Sequence, residues 1–169
     1  EFHFDVKAVV NPGITGVYGQ IWRGKITLLN SIAGLVKPDS GTIEINGKIV
    51  FDSNQKINIP AMDRKIGYVF QDVRLFPNLS VLKNLKYGTG RDTSCSFNFN
   101  EVVDILDISN LLQKKPSRCS GGEKQRIAIG RALLSGARIL IMDEPFSAVD
   151  VNLRGSIIPF LKTINERFN

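Results

Sequence analysis

The chain has 169 residues, of which 43% are hydrophobic and 22% charged, and its formal net charge at pH 7 is +6. This composition is typical of a folded domain with a sizeable core and excludes an intrinsically disordered chain. No apolar run approaches the roughly 18 to 20 residues that span a bilayer, so we expect neither a membrane span nor a signal peptide. The sequence predicts a single domain over residues 1–169.

The basic charge and the cysteines do not indicate nucleic-acid or metal binding. Lysine and arginine occur singly or in pairs and form no long block, so we expect no direct binding to nucleic acid. Cys95 and Cys119 lack a C-x-x-C spacing, and His3 is the single histidine. We therefore expect neither a disulfide framework nor a zinc site. A reducing compartment fits this cysteine usage best.

The first predicted elements are strands followed by a loop and a helix. Apolar and polar residues alternate over Phe2–Val10, which predicts a half-buried strand, and residues 14–19 (ITGVYG) form a second β-rich run. A glycine-rich loop follows. The helix predicted next, over Lys25–Leu35 with its exit near Gly34, carries apolar residues at helical spacing: Leu28, Leu29, Ile32 and Leu35.

The middle of the chain contains a predicted hairpin, a strand and a helical region. Residues 41–52 alternate around Asn46-Gly47, the strongest short-range hairpin signal. Residues 66–70 (IGYVF) predict a strand, and Gln71 follows it. Residues 78–116 are predicted to be helical, with Asn100 as a cap and an apolar stripe formed by Val102, Val103, Ile105 and Leu106.

The last third predicts a helix, a strand and a second helix. Ser120 and Glu123 form a Ser-x-x-Glu capping box, so a helix begins there with its first amide groups unpaired. Residues 138–142 (RILIM) predict an apolar strand that ends at Asp143-Glu144, and an amphipathic helix begins near Asp150. The alternation of strands and helices predicts an α/β fold with a mostly parallel sheet and an antiparallel β extension.

Residues 19–29 (GQIWRGKITLL) have the glycine, four residues, glycine and lysine of a phosphate-binding loop. In such a loop, backbone N–H groups and a helix N-terminus converge on oxyanions, and the lysine adds a point charge. Gly19, Gly24 and Lys25 provide this frame. Ile26 stands where the pattern requires serine or threonine, and a plain glycine turn before an exposed lysine remains the alternative.

Two other segments have the chemistry of a nucleotide site. Asp143 is suited to orient magnesium, directly or through water, and Glu144 to polarise an attacking water, although a solvated acidic pair is the alternative. In Ser120–Glu123, Gly121 and Gly122 allow a phosphate close to the backbone at a helix N-terminus. The order of the loop, Gln71, this helix start and the acidic strand end argues against a chance arrangement.

These segments together resemble the ATP-binding subunits of ABC transporters, and within them the molybdate-import ATPases. The residues that carry the resemblance are GQIWRGKITLL (Walker A), GYVFQD (Q-loop), SGGEKQRIAIGRALL (signature), RILIMDEP (Walker B) and SAVD (D-loop). Similarity to the molybdate subgroup is strongest over residues 64–88. The resemblance implies a P-loop NTPase fold of the ABC type with a helical subdomain at about residues 78–135.

The resemblance also implies a function, cofactors and partners. ATP and Mg²⁺ would bind between two copies of the chain in a homodimer, and hydrolysis would drive import of molybdate or a related oxyanion. Partners would be membrane permease subunits and, indirectly, a periplasmic oxyanion-binding protein. The chain would lie peripherally on the cytoplasmic face of the plasma membrane.

Residue roles are implied in the same way, position by position. Gly19, Gly24, Lys25 and Thr27 would bind the nucleotide, with Lys25 at the β- and γ-phosphates, and Ser120, Gly121, Gly122 and Glu123 would contact the γ-phosphate of the partner's ATP. Asp143 and Gln71 would bind the metal, directly or through water. Gln71 would also link the metal site to the permease. Catalysis would depend on Glu144 as the base, together with Gln71.

Several positions depart from the family pattern. The family has small residues where this chain has Trp22 and Arg23, and a hydroxyl where it has Ile26, which cannot coordinate magnesium. Thr27 is a poor substitute, because on a helix it points about 100 degrees away from residue 26. Cys119 replaces a leucine, and a redox-sensitive thiol there is an alternative interpretation.

The family's switch-histidine segment and regulatory domain would follow the last residues, so we expect a C-terminally incomplete domain. Two rival functions remain open. One is a non-catalytic pseudo-ATPase or fragment that keeps the fold without Mg-ATP turnover. The other is an ABC ATPase that acts on nucleic acid or ribosomes, which the importer-like run FQDVRLFPNLSV disfavours.

Overall fold

A computed structural model describes residues 4–18, 24–89 and 97–168. One helix is followed by four strands, three helices, a further strand and a last helix, with short 3₁₀ turns between some of them. In chain order they are α1 (Lys25–Ala33), β1 (Thr42–Ile45), β2 (Lys48–Asp52), β3 (Ile57–Asn58), β4 (Ile66–Val69), α2 (Val81–Lys86), α3 (Phe99–Ile105), α4 (Gly121–Leu133), β5 (Ile139–Met142) and α5 (Val151–Phe168).

The strands form an antiparallel sheet and a parallel pair. Strands β1, β2 and β3 make a three-stranded antiparallel sheet, and β4 pairs with β5 in parallel. The predicted hairpin is confirmed: Asn46 (φ 50°) and Gly47 (φ 76°) both have the positive φ that a two-residue turn of this kind needs. The parallel pair places the ends of β4 and β5 at one edge, which is where the candidate site lies.

Two sequence-based expectations are wrong. Residues 4–18 contain no strand, and the side chains of Val9 and Tyr18 are fully exposed. A segment with alternating apolar and polar residues forms a strand only where the edge of a neighbouring strand supplies hydrogen bonds and an apolar surface. The cap of α3 is Asn98 and not Asn100, because Asn98 Oδ1 accepts hydrogen bonds from the backbone N–H groups of Asn100 and Glu101.

The hydrophobic core is built around α4. Its buried residues pack against α2, α3, the turn after α3 and the face of β4 that carries Val69. Gly130 makes this packing possible, because a Cβ there would lie 2.9 Å from Leu85 Cδ2 and 3.1 Å from Leu106 Cδ1. The core therefore fixes α4 and the parallel strands relative to each other.

The helical region contains short helices, and the last helix is long. In the described parts of the predicted helical stretch, residues 78–89 and 97–116, the structure has α2, α3, a 3₁₀ turn at Ser109–Leu111 and the start of another at Pro116–Arg118. Helix α5 confirms the predicted C-terminal helix, with Ile157 fully buried and Pro159 inside it. Among the described residues, no helix is both long enough and apolar enough to cross a membrane.

A buried asparagine fixes the loop that precedes α2. Asn84 is fully buried, and its Oδ1 accepts a hydrogen bond from Phe76 N at 2.8 Å. Its Nδ2 donates to the carbonyl oxygens of Phe76 (3.1 Å), Leu79 (3.3 Å) and Ser80 (3.1 Å). One side chain thus hydrogen-bonds four backbone groups of the turn between residues 76 and 80.

Replacing Asn84 with alanine should destabilise the fold. We expect Asn84→Ala to lower the free energy of unfolding by about 2 to 4 kcal/mol, because it leaves buried backbone groups without partners. Asn100→Ala, at an exposed position of α3, is the control and should change the free energy of unfolding by less than about 0.5 kcal/mol. Urea denaturation followed by circular dichroism measures both, and equal midpoints would contradict the assigned role.

Candidate functional site

The candidate site lies at the edge where β4 and β5 end. Strand β4 leads into Gln71 and β5 into Asp143 and Glu144, and Asp143 N donates to Val69 O at 2.9 Å, which extends the pairing by one residue. The Gln71 Nε2 group donates a hydrogen bond to Glu144 Oε2 at 3.3 Å. The structure therefore brings together the three residues that the sequence assigned to metal binding and catalysis.

Glu144 has an unusual backbone conformation that a buried glutamine supports. Its φ is +45°, in the left-handed region that costs a residue with a side chain about 1 to 2 kcal/mol. Its carbonyl oxygen accepts hydrogen bonds from Gln125 Nε2 (3.1 Å) and from Ser147 N (3.1 Å). Because Gln125 is only 1% exposed, α4 holds the turn after β5 from inside the core.

The sequence interpretation did not single out Gln125. The available signal is the place of Gln125 on α4, where helical spacing puts its polar amide on the same buried face as Ala128, Ile129 and Ala132. A buried amide needs hydrogen-bond partners, so such a residue indicates a polar contact within the core. The hydrogen-bond partner of Gln125 is the carbonyl oxygen of Glu144, 19 positions later in the chain, and the sequence alone does not predict this contact.

The acidic residues at this edge influence one another. Burial raises the pKa of Asp143, the neighbouring Glu144 carboxylate raises it further, the Lys25 ammonium lowers it, and Asp72 again raises it. Lys25, the first residue of α1, therefore lies close enough to Asp143 to act on its charge. The edge carries an excess of negative charge that a cation would relieve.

The donor atoms at this edge fit a magnesium ion in part. Carboxylate and amide oxygens of Asp143 and Gln71 are of the type that Mg²⁺ prefers, and a magnesium ion commonly takes only one or two protein carboxylates plus phosphate oxygens and water. Ile26, 52% exposed at the start of α1, offers no oxygen, and Thr27 is exposed beside it. Within the described ranges no cluster of three or more His, Cys, Asp or Glu residues is arranged to hold a metal.

Gly24 caps the N-terminus of α1, and the helix follows the glycine loop as the phosphate-loop pattern predicts. Gly24 has φ +83°, and Leu28 N donates to its carbonyl oxygen at 2.8 Å. A Cβ at this position would lie 2.5 Å from Cδ2 of Phe4. Glycine therefore suits both the positive φ of the backbone and the close approach of the Phe4 ring. Phe4 is 36% exposed rather than in the core. Gly19, Trp22 and Arg23 lie outside the described residues, and their roles stay predictions.

The predicted capping box at the start of α4 is confirmed. Ser120 Oγ accepts from Glu123 N at 3.2 Å, and Glu123 Oε2 accepts from Ser120 N at 2.6 Å. The second hydrogen bond lowers the pKa of Glu123. Glu123 is therefore engaged with its own helix end, where it stabilises the first turn of α4.

Cys119, which precedes the capping box, does not have the surroundings of a reactive thiol. It is 7% exposed, and its Sγ lies 3.6 Å from the Lys115 carbonyl oxygen as a hydrogen-bond donor. Burial raises its pKa. A buried thiol with a raised pKa is inert, and this disfavours the redox interpretation.

The start of α4 packs closely on the segment after β5. A Cβ on Gly122 would lie 2.6 Å from the Ala148 carbonyl oxygen, whereas a Cβ on Gly121 would lie 4.0 Å from Ala148 Cβ, an ordinary contact. Gly122 thus has a demonstrated structural role, since it lets the chain after β5 pass directly over the helix start. The sequence pattern explained this glycine only by its approach to a phosphate.

Two open clefts meet at the end of β4. One, of about 630 Å³, lies between Gln71–Asp72 and the start of α4 and includes Gly121 and Lys124. The other, of about 550 Å³, lies between α1 and the parallel strands and includes Ile26, Asp143 and again Gln71. Lys25, Asp143, Glu144 and Gln71 therefore belong to one region, and Ser120–Glu123 lie on the far side of the Gln71 segment.

The chain is similar to known proteins over most of its length. A family model described as ABC transporter matches residues 3–147. The "Molybdenum import ATP-binding protein ModC" of Paramagnetospirillum magneticum is 44% identical over 171 residues, which cover 100% of this chain and 47% of that protein. The protein of the same name from Aliivibrio fischeri is 45% identical over 161 residues, covering 95% and 44% respectively. The chain thus spans about half the length of the curated relatives it matches.

Solved structures share the architecture. The dimeric structure of MJ0796, a bacterial ABC transporter cassette, matches with a TM-score of 0.68 and 30% identity over 85% of this chain and 66% of that chain. A dimeric post-hydrolysis state of the same cassette bound to ADP and Pi matches with a TM-score of 0.67 and 30% identity, with the same coverage of both chains. The α/β architecture predicted from the sequence is confirmed.

The two glycines at the start of α4 should respond differently to a methyl group. Gly122→Ala should lower the free energy of unfolding by about 1 to 3 kcal/mol, because the Ala148 backbone must move. Gly121→Ala adds the same methyl group one residue earlier and should leave the free energy of unfolding unchanged or raise it, since alanine favours helices by about 1 kcal/mol over glycine. Thermal and urea unfolding of both variants measures the difference. An equal effect of the two substitutions would refute the close approach of Ala148.

Proposed function

The chain belongs to the ABC transporter family, and we propose that it is the ATP-binding and ATP-hydrolysing part of an importer of molybdate or a related oxyanion. The observation that carries the proposal is the meeting of Gln71, Asp143 and Glu144 at the edge of the parallel strands, within electrostatic reach of Lys25. The P-loop fold of the ABC type is shared with the matched cassette. Identity of 44% to a molybdenum import protein supports the substrate class.

The first half of the site would hold the phosphates of ATP. The loop from Gly19 to Gly24 and the backbone N–H groups at the start of α1 would surround the phosphates, with Lys25 as the point charge. Thr27, exposed on the first turn of α1, offers a nearby hydroxyl. Mg²⁺ would be served by Asp143 and Gln71, and when bound with ATP it supplies charge neutralisation to the phosphate oxygens.

The second half of the site would accept a proton during hydrolysis. The Glu144 carboxylate would accept a proton from a water molecule that attacks the terminal phosphate. The hydrogen bond from Gln71 Nε2 to Glu144 Oε2 fixes the direction of that carboxylate. The backbone of Glu144 is held in turn by Gln125. In this arrangement Gln71 and Glu144 form the catalytic pair.

A second copy of the chain would complete the site. The helix N-terminus at Ser120, Gly121, Gly122 and Glu123 borders a different cleft from the one beside α1. It would act on ATP bound by a partner copy, whose charge the helix dipole favours. The matched cassette is described as dimeric, which supports a homodimer. Membrane permease subunits and a periplasmic oxyanion-binding protein would be the further partners, with this chain peripheral on the cytoplasmic face of the plasma membrane.

A non-catalytic cassette is the second candidate function, and Ile26 favours it. At the start of α1 its side chain is 52% exposed and carries no metal ligand, in the position where the loop pattern has a hydroxyl. A chain of this kind would keep the fold and bind nucleotide weakly or without magnesium. The two candidates differ in whether magnesium strengthens ATP binding.

Calorimetry of ATP binding, with and without Mg²⁺, separates the two candidates. For an active site we expect magnesium to strengthen ATP binding, and Lys25→Ala to weaken it by at least about tenfold through loss of a charged hydrogen bond. For the non-catalytic candidate, only the restored chain with Trp22→Gly, Arg23→Ser and Ile26→Thr should bind Mg-ATP. Lys7→Ala, in the exposed segment of residues 4–18, is the matched control for Lys25→Ala. Failure of both the unchanged and the restored chain to bind ATP would contradict the proposed function.

A further inference from the structure

Helix α1 is attached to the rest of the structure in an unusual way. The hydrophobic cluster around α4, which is the main core, consists of residues from Val69 onwards, and no side chain of α1 belongs to this cluster in the part of the chain that the structure describes. Of its residues only Ser31 and Ala33 are buried. Apolar packing in the main core therefore does not explain how α1 keeps its place beside β4 and β5.

Arg64, two residues before β4, supplies the first attachment. Its side chain is buried, and its Nη1 donates to the carbonyl oxygens of Ser31 and Ile32 in the last turn of α1, both at 2.8 Å. Its Nε donates to Ile59 O at 2.8 Å, and its Nη2 donates to Asn58 Oδ1 at 3.1 Å. A single guanidinium thus ties α1 to the end of β3 and to the residue that follows this strand.

The position of Arg64 at a helix end explains why its charge is tolerated there. Its guanidinium donates hydrogen bonds to carbonyl and amide oxygens, and burial lowers its pKa. The last carbonyls of a helix carry partial negative charge that stabilises a cation. Gly34, which ends α1 with φ +76°, leaves the space, because a Cβ there would lie 2.7 Å from Arg64 Nε.

Tyr68, inside β4, supplies the second attachment. Its hydroxyl donates to Asn30 Oδ1 at 3.1 Å, which links the middle of α1 to the strand. Its ring stacks on Phe70 with centroids 4.1 Å apart, and Phe70 in turn lies under the Arg74 guanidinium at 4.4 Å. The hydroxyl is thereby fixed on the strand that leads directly to Gln71.

We propose that Arg64 and Tyr68 are positioning residues that set the place of α1, and with it Lys25, relative to Asp143 and Glu144. Both come from the β4 segment, one before the strand and one inside it, and both bind α1 by hydrogen bonds. The inference rests on the proposed function, because α1 carries the phosphate-binding end. Neither residue touches the phosphates: they act through the position of α1.

Amide hydrogen exchange measures the attachment without any nucleotide. Tyr68→Phe removes one hydrogen bond and keeps the ring stack, so exchange of the α1 amides should become about three- to tenfold faster. Exchange in α4 should stay unchanged. Tyr87→Phe, at an exposed tyrosine whose ring also contacts a phenylalanine, is the matched control and should alter neither helix. Unchanged α1 exchange in Tyr68→Phe, or equal acceleration of α1 and α4, would overturn the proposal.

The functional part is measured by calorimetry with ATP on the same proteins. Tyr68→Phe should raise the Kd for ATP by a factor similar to its effect on α1 exchange, with the stoichiometry and the midpoint of urea unfolding almost unchanged. Arg64→Lys keeps the positive charge but not the planar guanidinium. It should raise the Kd for ATP and the rate of α1 amide exchange further than Tyr68→Phe does. A fall in global stability with an unchanged Kd would overturn the positioning role. No ATP binding by the unchanged and restored chains would instead overturn the proposed function, while α1 exchange still decides the attachment.

Discussion

The contact between α4 and the turn after β5 is the constraint on which the candidate site depends. Gly122 lets the Ala148 carbonyl approach the helix start, and Gln125 donates to the Glu144 carbonyl from within the core. Together they hold Glu144 in a left-handed conformation. Strain of this kind persists only where the surroundings over-determine the backbone, and it is common at functional sites. The direction of the Glu144 carboxylate toward Gln71 follows from this contact.

The two sides of the site differ in how firmly they are held. The acidic side follows strands that pack on the core through α4, so its geometry is set in advance. The α1 side is joined to β4 by hydrogen bonds from Arg64 and Tyr68. Hydrogen bonds at the margin of a core open at lower free energy than the core itself. The α1 side can therefore adjust while the acidic side stays fixed.

Features coded by neighbouring residues could be predicted from the sequence. The Asn46-Gly47 turn, the Ser120–Glu123 capping box and the apolar strand before Asp143 depend on residues a few positions apart, and the structure has all three. The meeting of Gln71 with Glu144 was also foreseeable, because parallel strands end at one edge. The Ile26 departure was visible as a mismatch to the loop pattern.

Features that depend on distant partners could not be predicted. Residues 4–18 alternate like a strand, yet no strand forms there, because strand formation needs a partner edge that alternation does not specify. Arg64 binds oxygens more than 30 positions away, in α1, and Gln125 binds one 19 positions away. The error at the α3 cap has a local cause: Asn98 and Asn100 are both good caps, and the choice depends on which one has an extended backbone.

The measurement that tests the central claim most directly is an amide NMR titration of the chain with ATP. If the start of α1 and the end of β5 form one nucleotide site, the amide signals of Gly24, Lys25, Asp143 and Glu144 should shift together and saturate with one Kd. Gly47, in the hairpin turn of the antiparallel sheet, is an internal reference that should not shift. Saturable shifts confined to the exposed residues 4–18, or no saturable shift at either α1 or β5, would contradict a shared site.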